Sequence, residues 1–107
     1  MKISFVERPR RRRLIVEGKL VAPWVAEFAT ACEKAKVDLH HGRELIVDLR
    51  NVTAVTPEGE SVLLQLIMEK VKFQCGVFMK EVIRQLGRKS QRRQDAPAAD
   101  SGGGNGV

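Results

Sequence analysis

Apolar and polar positions alternate from residue 2: Ile3 and Phe5 fall to one side, Lys2 and Ser4 to the other, until Val6 breaks the pattern. A period of two predicts a short strand over residues 2–7. Arg8-Pro9-Arg10-Arg11 then reads as a turn, because Pro9 cannot donate to a ladder. Leu14-Ile15-Val16 mark a second strand over 12–17, ending near Gly18. So tight a connection favours an antiparallel hairpin. From 22 to 36 the period changes. Trp24, Val25, Phe28, Cys32 and Ala35 recur at helical spacing, and Pro23 suits a first helical turn. Asp38 to Gly42 is a polar loop.

Residues 44–49 are nearly all apolar, as a central strand covered on both sides should be. Val52-Thr53-Ala54-Val55 follows as a separate short extended segment. Thr56-Pro57-Glu58-Gly59-Glu60 is a helix start: an N-cap residue, proline at the first helical position, and two carboxylates near the positive end of the dipole. Val62, Leu63, Leu66, Ile67 and Val71 give that helix its apolar face, and it ends near residues 70–72. Residues 72–79 read as a last strand bent at Gly76. Met79, Val82, Ile83 and Leu86 then mark a third helix, with Gly87 at its end or inside it. Strand, strand, helix, strand, helix, strand, helix predicts one α/β domain over 1–94, with a mixed four-stranded sheet and three helices. From Asp95 the composition turns to Ala, Pro, Ser, Gly and Asn, which predicts a disordered tail over 95–107.

Composition narrows the class. With 107 residues, 43% hydrophobic and 30% charged, the chain holds one modest core. No apolar run approaches the roughly 20 residues of a membrane span. The N-terminus meets charge before a signal peptide's apolar stretch can develop, so the expected location is cytoplasmic. Cys32 and Cys75 lack CxxC spacing and a nearby His, which predicts reduced, buried thiols. No nucleophile motif or glycine-rich phosphate loop is present, so no enzyme activity is expected. His40 and His41 lack a third ligand at metal spacing, and no cofactor is expected either. Asp48, inside an apolar strand, is read as an acid satisfied by loop backbone.

Three segments resemble the STAS domain, the fold of anti-sigma-factor antagonists. Leu14 to Leu20 is similar to the family's opening strand and Gly-x-Leu turn. Leu45 to Val52 is similar to its apolar-Asp-Leu strand. Thr56-Pro57-Glu58-Gly59 occupies the place of its Asp-Ser-Ser-Gly loop, followed at once by an apolar helix. The resemblance covers roughly residues 12–90. It implies a regulatory protein–protein module whose partner is an anti-sigma factor or a related kinase, docked through Thr56, Pro57, Glu58 and Gly59. The family's phosphoacceptor serine aligns with Pro57, which has no hydroxyl, so the usual switch does not operate there. Thr56 offers the loop's one hydroxyl and is the candidate phosphosite. Gly59→Arg and Glu58→Arg are both expected to weaken docking while leaving the fold intact.

The net charge of +6 supplies an alternative of another class. Lys80, Arg84, Arg88 and Arg92 recur every fourth residue, a basic stripe if the last helix reaches that far. Arg8 and Arg10 to Arg13 form a second basic stretch. Both suit the phosphate backbone of nucleic acid. Aromatic interleaving and recognition motifs are absent, so a solvated face or an acidic protein partner fits as well.

Overall fold

A computed structural model describes residues 1–37, 39 and 43–95, with side chains through Gln91. The elements are β1 (Lys2–Glu7), β2 (Arg11–Leu20), α1 (Trp24–Val37), β3 (Glu44–Val55), α2 (Pro57–Met68), β4 (Lys72–Gln74) and α3 (Val77–Asp95). They form the expected α/β arrangement: a four-stranded mixed sheet in the order β1-β2-β3-β4, with three helices. β1 and β2 are an antiparallel hairpin, while β2–β3 and β3–β4 are parallel. His40, His41 and residues 96–107, including nearly all of the expected tail, lie outside the described residues.

Strand alternation sends Leu14 and Val16 of β2 and Leu45, Val47 and Leu49 of β3 to one face. There they meet Phe28, Ala31, Cys32 and Ala35 of α1, Leu63, Leu64 and Leu66 of α2, and Met79 and Leu86 of α3 in one buried cluster. Small residues at 31 and 35 let α1 lie close to β2. α2 packs against both α1 and α3, which explains why Leu64, off its expected apolar face, is buried too. Val6, Ile15 and Ile46 belong to the opposite sheet face and lie outside this cluster.

Several expectations need correction. β3 runs unbroken from Glu44 to Val55. Its register against β2 shifts between Ile15 and Glu17 and again between Gly18 and Lys19. Each shift inserts one extra residue in β3, so Leu49 and Val52 both face inward although they are three residues apart. β4 stops at Gln74. Gly76 approaches β3 so closely that a Cβ there would lie 2.9 Å from the Arg50 carbonyl oxygen. Its own carbonyl accepts the Lys80 N–H at 2.9 Å, and α3 begins at once. Val77 and Phe78 are therefore helical, and Gly87 lies inside α3. Pro23 precedes α1, and Trp24 in its first turn is exposed rather than in the core.

Candidate functional site

The start of α2 is built by the ends of β2 and β3. Thr56 leaves β3 in extended conformation (φ −92°, ψ 167°). Its N–H donates to the Leu20 carbonyl at 3.1 Å, and its carbonyl accepts the Glu60 N–H at 2.9 Å. It occupies the N-cap position with Pro57 next, as the sequence suggests. The hydroxyl, however, makes no capping bond: Oγ1 is buried without a hydrogen-bond partner. Modification of Thr56 would require this side chain to rotate outward.

Pro57 and Glu58 are exposed, and Glu60 is half-buried. The Glu58 and Glu60 carboxylates lie in the first turn, where unsatisfied N–H groups favour negative charge. Gly59 is different. It is buried, and a Cβ there would meet Val55 Cγ2 at 2.9 Å, the Leu20 carbonyl oxygen at 3.0 Å and Leu20 Cγ at 3.1 Å. The glycine lets α2 pack on the strand ends, so Gly59→Arg would break the packing, contrary to the expectation from sequence. Of the four loop residues, only Pro57 and Glu58 are presented as surface.

One turn on, Ser61 is exposed, with its hydroxyl donating to the Pro57 carbonyl at 3.2 Å. Glu58, Ser61 and Gln65 share the outward stripe of α2 by helical spacing. Beside it, a groove of about 290 Å³ runs between α1 and α2, lined in part by Ala29, Val62, Leu66, Ser61 and Gln65. Sequence reading missed this groove because it belongs to two helices at once. Ser61 itself could have been found, since it lies four residues after Pro57 on the same face.

The basic stripe on α3 is less bare than its spacing suggests. Lys80, Arg84 and Arg88 are exposed on one helix with Arg92 further along it. Arg84 Nη2, however, contacts both Glu81 carboxylate oxygens, at 2.7 and 2.8 Å. The guanidinium holds Glu81 below the usual carboxylate range. Counting cations alone missed the acid three residues earlier.

Asp48 is buried, but its main partner is a side chain rather than loop backbone. The Arg50 guanidinium donates to Oδ2 at 2.7 Å and to Oδ1 at 3.0 Å, while the Arg50 N–H adds a bond to Oδ1 at 3.1 Å. These bonds hold its pKa below the ordinary value against the opposing effect of burial. Such a carboxylate is occupied structurally. Both cysteines are free thiols; burial pushes Cys32 up to about 12 and also raises half-buried Cys75. Neither is primed as a nucleophile. No helix among the described residues is long and apolar enough to cross a membrane. No protein-family model matches the chain, and no curated protein matches it.

Proposed function

We propose that the chain is a non-catalytic, cytoplasmic regulatory module of the anti-sigma-antagonist kind, docking a protein partner through the start and outward face of α2. The observation that carries this reading is the exposed stripe Pro57, Glu58, Ser61 and Gln65, adjoining the α1–α2 groove and held on strand ends by buried Gly59. An exposed polar rim next to an apolar depression on rigid elements suits protein recognition. The resemblance of Thr56 to Gly59 to the STAS loop supports docking at this end of α2. With proline in the phosphoacceptor's place, Glu58 and Glu60 leave that turn acidic without modification, so the partner surface is expected to be basic. The nucleic-acid reading draws less support, because Arg84 of its stripe is already paired with Glu81.

Affinity capture from native cytosol tests the proposal, comparing wild type with Glu58→Arg and Ser61→Arg after nuclease treatment and at raised salt. Both positions are exposed, so both variants should fold. Recovery of an anti-sigma-like or kinase-like protein by wild type, and its loss with either variant, is the expected result. Equal recovery by all three chains would remove α2 as the docking surface.

A further inference from the structure

The second basic stretch divides by strand alternation. Arg12 turns to the helix side, where Nη1 donates to the Ala35 carbonyl at 2.8 Å and Nη2 to Glu7 at 2.7 Å. Arg11 and Arg13 project from the other face, and Val6 lies opposite Arg13 in the β1–β2 register. With Arg8, Pro9 and Arg10 of the turn, these residues line an open cavity of about 600 Å³. That volume is within the roughly 300–1,000 Å³ of small-molecule sites. Four of the six lining residues are arginines and none is acidic.

The nearby carboxylates have stronger partners outside the cavity: Asp48, whose charge also acts on Arg13, is held by Arg50 at 2.7 Å. Glu7 bonds Arg12 and Arg43, which hold it down to about 2. Glu44 contacts Lys72 at 3.2 Å and reaches Arg11 only at 3.9 Å. Arg13 itself is half-buried at the cavity wall, and its Nε is buried without a hydrogen-bond partner. The turn itself is fixed. The Arg8 N–H donates to the Arg11 carbonyl at 2.9 Å, Arg43 Nη2 to the Arg8 carbonyl at 2.8 Å, and the Glu44 N–H to the Arg10 carbonyl at 3.1 Å.

We propose that this cavity binds a small soluble ligand carrying two or more phosphate groups. Guanidinium forks match phosphate oxygens two at a time, and several forks around one concavity suit linked phosphates better than a single carboxylate. The concave shape favours a compact anion over an extended backbone. This site is separate from the α2 surface, on the sheet face away from the helix core, and does not depend on the function proposed above.

Titration calorimetry of the whole chain with inorganic pyrophosphate tests the assignment. Wild type should bind, and Arg10→Gln and Arg13→Gln should each weaken binding about ten-fold or more, as loss of a charged hydrogen bond does. Arg84→Gln, on α3, should bind like wild type. Arg10 is exposed in the turn, so its variant remains informative if the partly buried Arg13 variant fails to fold. No binding at millimolar pyrophosphate, or equal binding by Arg10→Gln, would overturn the proposal. Competition then identifies the source of the phosphates. Displacement by a nucleoside triphosphate, with no displacement by single-stranded oligonucleotide or anionic vesicles, supports the small ligand. Displacement by oligonucleotide or vesicles alone would overturn that assignment.

Discussion

Two residues show how backbone conformation and space set the effect of a substitution here. At Gly59, a single methyl would lie 3.1 Å or less from Val55 and Leu20 atoms that belong to strands. Gly59→Ala should therefore cost about 1–3 kcal/mol, the usual penalty of overpacking, read as a lowered urea midpoint. An unchanged midpoint would show that the strand ends yield freely. Lys70 adopts φ 67°, a left-handed conformation that L side chains resist. It follows the C-cap of α2 in a Schellman arrangement: the Val71 N–H donates to Leu66 and the Lys70 N–H to Ile67. Lys70→Gly should stabilise by about 0.5–1 kcal/mol, since glycine carries no Cβ penalty there. Asp48 supplies the pH term. Its folded pKa is depressed, so its contribution is present above its ordinary value of 3.8 and is lost as pH falls through the folded value. Urea midpoints at neutral and acid pH should differ less for Asp48→Asn than for wild type. An identical acid loss in both would assign it to other groups. The burial of Asp48 was legible from its apolar neighbours, but its partner was not, because a bulge in β3 intervenes before Asn51.

Among the elements, the helices were easier to read than the strands. Periodicity locates α1 within two residues and the start of α2 at Pro57, because Phe28, Cys32 and Ala35, and Leu63 and Leu66, recur as a buried helical face should. α2 ends at Met68, however, short of the expected 70–72, and Val71 lies beyond it. β3 was cut short at Leu49 because two register shifts break its alternation, and a shift is a property of the pairing rather than of one strand. Val77 and Phe78 favour strands locally, so the sequence predicts a longer β4 than forms; the close passage of Gly76 over β3 ends the strand first. α3 then runs 19 residues with Gly87 in its interior, where an added Cβ would meet nothing within 4 Å. Gly87→Ala should raise stability by about 0.5–1 kcal/mol through reduced freedom of the unfolded chain. A lowered thermal midpoint would contradict the open space seen around this glycine.

In the molecule as a whole, one hydrophobic cluster joins all three helices to a single face of the sheet and leaves two surfaces of contrasting charge. The outward stripe of α2 begins with an acidic turn, while the far face of the hairpin carries the arginine-lined cavity. The loop at Thr56 to Gly59 was legible in sequence through its N-cap, proline and glutamates. The assignment of roles within it was not, since only packing shows that Gly59 belongs to the interior and Glu58 to the surface. The proposed docking surface is α2 rather than the basic face of α3. Its most direct test is a photo-crosslinking residue placed at position 58 in one chain and at position 88 in another, each expressed in the native cell. The expected result is a discrete protein adduct from position 58 that persists after nuclease treatment and is absent from position 88. Adducts from position 88 alone, whether to protein or to nucleic acid, would contradict it.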